Sequence, residues 1–109
     1  MRVLFDQGVP APLRGALTVD QVRTAYECGW SALRNGDLLT AAEGAGFDVL
    51  VTTDKNLRYQ QNLAARRIAI VVLSTTSWPK IQTALASIDK AVSAATANSY
   101  VEVAIGQIS

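Results

Sequence analysis

Short apolar runs rich in β-branched residues recur along this chain, at Val3-Leu4-Phe5, Val49-Leu50-Val51 and Ile68-Ala69-Ile70-Val71-Val72-Leu73. Runs of this length without polar alternation suit strands buried on both faces. Helical segments lie between them, and strands that alternate with helices imply a parallel sheet covered on both sides. The expected fold class is α/β: a three-layer α/β/α sandwich with a mostly parallel sheet of four to five strands. At 109 residues, half of them hydrophobic, the chain suits a single domain, 1–109, with enough core to need no staples.

The remaining segments fit this frame. Pro10 and Pro12 break the chain after the first strand and can open a short helix whose buried face is Leu13, Ala16 and Leu17. A weak strand is expected over Gln21 to Ala25, then one helical turn at Tyr26 to Gly29 and a loop carrying Trp30. Asn35 is a good N-cap for a helix from Gly36 to Gly44 or Ala45. Asp48 to Thr53 is the clearest strand, and Leu57 to Ala65 is expected to be a short helix. Trp78-Pro79 opens the longest helix, with Trp78, Ile81, Leu85, Ile88, Val92 and Ala95 as one apolar stripe. Val101, Val103 and Ile105 alternate with Glu102, which predicts a half-buried edge strand over Tyr100 to Ile105.

Three aspartates mark one edge of this sheet. Asp6 and Asp54 follow apolar strands, and Asp37 sits at the start of a helix. In open α/β sheets ligands bind outside the carboxyl ends of the strands. Carboxylates gathered there repel one another unless a cation lies between them, and hard oxygen ligands suit Mg²⁺ or Mn²⁺. Each acid also has a plainer explanation. Asp6 and Asp54 can cap the turns that follow, and an acid in a first helical turn is favoured by the helix dipole alone.

Absences narrow the chemistry. The chain has no histidine and one cysteine, Cys28. This excludes a Ser–His or Cys–His nucleophile, a histidine base and the usual zinc sites. A lone cysteine forms no intrachain disulfide, so a reducing, cytoplasmic setting is expected. Cys28, Trp30 and Trp78 are expected to pack rather than react. No membrane span or leader is expected, because every apolar run is too short. Ten basic residues against nine acidic ones leave a net charge of +1, too small for general electrostatic binding of nucleic acid. A local patch remains open, since Lys55, Arg58, Arg66, Arg67 and Lys80 cluster in the second half of the chain.

Taken together, Val3-Leu4-Phe5-Asp6, Trp30 through Asn35-Gly36-Asp37-Leu38-Leu39, and Asp48-Val49-Leu50-Val51-Thr52-Thr53-Asp54-Lys55-Asn56 resemble the small stand-alone PIN-like proteins, relatives of VapC-type toxin ribonucleases. The resemblance implies a metal-dependent endoribonuclease in which Asp6, Asp37 and Asp54 bind Mg²⁺ or Mn²⁺. Lys55 would act at the scissile phosphate, with Asn56, Arg58 and Ser74 contacting RNA. It further implies a homodimer and an antitoxin protein as partner. Two positions depart from the family pattern: Gln7 stands where relatives commonly carry a glutamate, and Ser74-Thr75-Thr76 stands where larger members have a fourth acid. A catalytically inactive binding or dimerising module of the same fold is therefore a second expectation. A third is a receiver-like domain in which Asp54 accepts phosphate and Ser74 or Thr75 senses it.

Overall fold

The computed structural model describes residues 1–60 and 62–106. Among them, five strands form one sheet: β1 (Arg2–Phe5), β2 (Gln21–Thr24), β3 (Val49–Thr52), β4 (Ala69–Leu73) and β5 (Tyr100–Val103). Their order is β2-β1-β3-β4-β5, and every neighbouring pair is parallel. The α/β expectation holds, and the sheet is wholly parallel.

Burial explains the uninterrupted apolar runs. In β1, Val3 and Phe5 face one side and Leu4 the other; in β3, Val49 and Val51 oppose Leu50. β4 repeats this with Ala69, Val71 and Leu73 against Ile70 and Val72. A two-residue period with both faces covered leaves no place for a polar side chain. One face is roofed by Leu13 of a 3₁₀ helix (Ala11–Ala16) and by Ile81, Ile88 and Val92. The opposite face is roofed by Leu38, Leu39 and Ala42 of α1 (Asn35–Gly44), with Phe47 and Leu57. Each fully buried Leu or Ile in these layers contributes about 1.5–3 kcal/mol. Cys28 and Trp30 pack partly buried against the α1 face, Trp30 meeting Phe47 edge-on at 6.0 Å, and Trp78 packs against the other core.

Four local expectations are corrected. The proline-opened helix is 3₁₀, with Pro10 at its cap. Asn35 is the first residue of α1 rather than its cap: the Arg34 carbonyl accepts from the Asp37 and Leu38 amides, which moves the boundary one residue back. The long final helix is broken into α3 (Trp78–Ile81), a 3₁₀ turn (Gln82–Ala84) and α4 (Leu85–Ser93). Thr83 donates its hydroxyl to the Lys80 carbonyl at 2.6 Å, competing with the helical ladder, and Ala84 leaves helical geometry at φ −129°. Finally, Val101 is exposed, whereas Ile105 is buried past the end of β5.

The expected Leu57–Ala65 helix is α2 (Leu57–Gln60) and a 3₁₀ turn (Leu63–Ala65), with position 61 outside the described residues. The chain then reaches β4 under the control of one carboxylate. Glu43, near the end of α1, accepts from Arg66 Nη1 at 2.9 Å, from the Arg67 amide at 2.7 Å and from the Ile68 amide at 3.3 Å. Asn98, in the left-handed region at φ 67°, ties the opposite end of this connection by donating to the Leu63 and Arg66 carbonyls. No helix among the described residues is long and apolar enough to cross a membrane.

Candidate functional site at the carboxyl edge of the sheet

The strand order reverses its direction of growth between β1 and β3, with β2 on one side of β1 and β4 beyond β3. In such sheets the connections diverge at this junction and open a crevice at the carboxyl edge. Asp6 stands directly there. Its amide extends the ladder by donating to the Val51 carbonyl at 2.9 Å. Its Oδ1 accepts the Gln7 amide and its Oδ2 accepts the hydroxyl of Thr52, each at 2.8 Å.

Thr52 is the hinge of the site. It is fully buried, so its hydroxyl needs partners on both its proton and a lone pair. It gives the proton to Asp6 and accepts the Asp54 amide at 3.1 Å. Asp54 in turn accepts the Asn56 amide on Oδ1 at 3.0 Å, an Asx turn that leads into α2. Two half-buried aspartates just past the ends of adjacent strands are thus tied to one shared threonine, Asp6 through its carboxylate and Asp54 through its amide, and Asp54 Oδ2 makes no hydrogen bond among the described residues.

The surrounding loop is packed tightly. A Cβ at Gly8 would collide with Thr53 Oγ1 and lie 3.7 Å from Thr76 Cγ2, so any larger residue where this loop crosses the end of β3 forces the Thr53 hydroxyl to turn away. Gln7 donates from Nε2 to the Ser31 carbonyl at 2.6 Å. The residue at the expected glutamate position is therefore a clamp between the Asp6 loop and the loop that feeds α1. A turn over Ala25–Gly29 follows β2 and is closed by a capping box: Thr24 and Glu27 exchange bonds of 2.9 and 3.1 Å. The Thr24 amide, and then the Arg14 guanidinium, hold the Glu27 carboxyl below the ordinary glutamate range.

The other expected site residues are spread along the same edge. Asp37 is exposed in the first turn of α1 and shares no hydrogen-bond partner with Asp6 or Asp54. Among the described residues no three acidic or thiol groups form a set that could hold a metal ion. Lys55 and Asn56 are exposed. Arg58 is drawn toward β5, lying over the Tyr100 ring at 5.5 Å and pairing with Glu102 at 3.8 Å. Ser74 is engaged with the chain beyond β5: its Oγ donates to the Ile105 carbonyl at 3.3 Å and accepts the Ile105 amide at 2.8 Å. Of the basic residues clustered in the second half of the chain, Arg66 is pinned to α1 through Glu43, Thr40 and the Gly36 carbonyl.

Comparison with known family models, with curated proteins and with solved structures returned no match.

Two features escape a reading of the sequence. Thr52 was legible only as a strand end, although a buried threonine two residues before an aspartate signals a partner. Arg34, exposed and without an ion pair among the described residues, adds a cation just ahead of α1. A cavity of about 240 Å³ opens beyond the ends of β4 and β5, with Lys55 on its rim. A roomier groove of about 630 Å³ lies at the opposite edge, beside Met1, Asp48 and Arg67. Its charges are largely spent: the Met1 amine on Asp20, Asp48 on the Arg2 amide and Glu43 on Arg66. The carboxyl edge is the better candidate, because it brings two oriented acids, Asp6 and Asp54, together with Lys55 and Arg34, which form no ion pair among the described residues.

Proposed function

We propose that the chain is a Mg²⁺- or Mn²⁺-dependent endoribonuclease of PIN-like type, acting as the toxin of a toxin–antitoxin pair. The observation that carries this reading is the Asp6–Thr52–Asp54 arrangement at the β1/β3 junction. Mg²⁺ keeps much of its water shell and is commonly held by one or two carboxylates together with substrate phosphates. Asp6 and Asp54 fit that requirement with their remaining lone pairs, and a larger acidic cluster is not needed for one ion. When bound, such an ion polarises a phosphoryl oxygen and lowers the pKa of a coordinated water.

The chain's own residues do the rest. Asp6 and Asp54 hold the ion, and Thr52 keeps both in register by a bond that neither can make to the other. Asp37 adds negative charge at the same edge. Lys55 and Arg34 take backbone phosphates on either side, Lys55 as a mobile point charge and Arg34 as a fork. Asn56 offers its amide side chain to substrate, whereas Ser74 acts by fixing the wall on which RNA lies.

The deciding experiment is cleavage of varied single-stranded RNAs with Mn²⁺ or Mg²⁺. Cleavage that disappears in Asp6→Asn and Asp54→Asn, with circular dichroism unchanged, supports the reading. Absence of both cleavage and a calorimetric metal signal overturns it, and metal binding without cleavage identifies an inactive module. A small DNA-binding reading frame beside the gene supports an antitoxin partner. The exposed β5 edge at Val101 is the surface for a homodimer in the same proposal, and the cytoplasm is its setting.

One observation favours a second reading. The order β2-β1-β3-β4-β5, with Asp54 after β3, is also that of receiver-type domains. Labelling of Asp54 by acetyl phosphate would select it.

A further inference from the structure

We propose that the cavity beyond β4 and β5 is a nucleobase subsite that prefers guanine, which extends the ribonuclease reading by naming the base next to the cleaved bond. The cavity, about 240 Å³, is lined by Lys55, Val72, Ser74, Glu102, Val103 and Ala104. It is too small for a nucleotide chain and suits one planar ring. Lys55 is covalently next to Asp54, so the cavity adjoins the acids that would hold the metal.

The lining has a definite polarity. Val72 is buried and forms an apolar floor. Ser74 is locked on both sides to Ile105, and the Ser74 amide donates to the Val103 carbonyl at 3.2 Å, so this wall is rigid before any ligand arrives. Glu102 is the side chain that can read a base. Its Oε1 accepts the Tyr100 hydroxyl at 3.2 Å and faces Arg58 Nη1 at 3.8 Å, while Oε2 makes no hydrogen bond among the described residues. Tyr100 and Arg58 therefore hold the carboxylate in place.

An ionised carboxylate only accepts hydrogen bonds. Guanine presents two adjacent donors, N1–H and the exocyclic amino group, which match the two oxygens of a carboxylate. Adenine and cytosine present one amino group beside an acceptor. Uracil presents N3–H between two carbonyls, which a carboxylate repels. The expected order is guanine first, adenine and cytosine together, uracil last. Lys55, with no ion pair among the described residues, takes the phosphate attached to that base.

The test follows amide chemical shifts in the ¹⁵N-labelled protein while the four ribonucleoside 5′-monophosphates are added in the presence of EDTA. The guanine nucleotide should move the Ser74, Val103 and Ala104 amides and saturate about tenfold more tightly than the uracil nucleotide, as one bidentate base contact allows. Glu102→Gln should bring the two within about threefold, because an amide offers one donor and one acceptor. Lys55→Ala should weaken all four alike and leave their order intact. Equal binding of the guanine and uracil nucleotides by the unaltered protein, shifts confined to another surface, or a preference unchanged in Glu102→Gln overturns the proposal. No turnover or metal enters this measurement, so failure of RNA cleavage bears on the nuclease reading alone, and loss of base preference bears on the subsite alone.

Discussion

The Thr52 hydroxyl donates to the Asp6 carboxylate at 2.8 Å across the seam where β1 and β3 run side by side. The same oxygen receives the Asp54 amide. Thr52→Val keeps the shape of the side chain and deletes both bonds, leaving a half-buried carboxylate and amide without that partner. Its expected cost is about 1–3 kcal/mol in urea unfolding, the penalty for stranding polar groups. Mn²⁺ binding, if present in the parent, should weaken by more than stability alone accounts for, because both aspartates lose their common reference.

Gly8 and Thr53 form a steric pair at the same edge. Gly8→Ala drives a methyl group into Thr53 Oγ1. The threonine can turn its hydroxyl away, so the loss should be about 1 kcal/mol, at the low end for overpacking. Thr53→Ala placed in the Gly8→Ala background should recover most of it. Two losses that simply add in denaturant titrations would disprove the contact.

The Glu43 carboxyl is desolvated, which raises its pKa, yet bonds from Arg66, Arg67 and Ile68 outweigh this and leave it below the ordinary glutamate value. The folded chain therefore takes up this proton at lower pH than the unfolded chain does. Stability from this group is complete above the unfolded glutamate pKa of about 4.3 and is lost as pH falls through the lower folded value. Glu43→Gln should lower stability at pH 7 by about 1 kcal/mol and flatten the acid limb of the stability curve. An acid limb as steep as that of the parent would remove Glu43 from its cause.

Ser74→Ala cuts both links to Ile105. The expected loss is about 1–2 kcal/mol, two neutral hydrogen bonds at the solvent boundary. It should appear locally as faster amide hydrogen exchange at Ile105, with the β1–β3 amides unchanged.

Much of the fold was legible because a sheet buried on both faces writes itself as unbroken apolar runs, as in Ile68–Leu73. The broken final helix was not legible, because Ile81, Ile88 and Val92 keep their stripe across the 3₁₀ turn. Periodicity records which side a residue faces, not whether its carbonyl is bonded three or four residues on. Val101 misled for a related reason: alternation marks two faces, and on an edge strand the roof can end before the strand does. At the site, Asp6 and Asp54 were visible at strand ends, but their coupling was not. Thr52 lies 46 residues from Asp6, and only the β1–β3 register brings them together.

The placement of β1 has a consequence for synthesis. β1 is flanked by β2 and β3, so it is a central strand whose two neighbours both follow it in the chain. While the chain is being translated, Asp6 has no Thr52 to orient it until residue 52 has left the ribosome. Nascent chains shorter than this expose one edge of β1 and carry an unaligned acid. The carboxyl edge around Asp6 is thus completed only when β3 pairs with β1 and brings Thr52 to it.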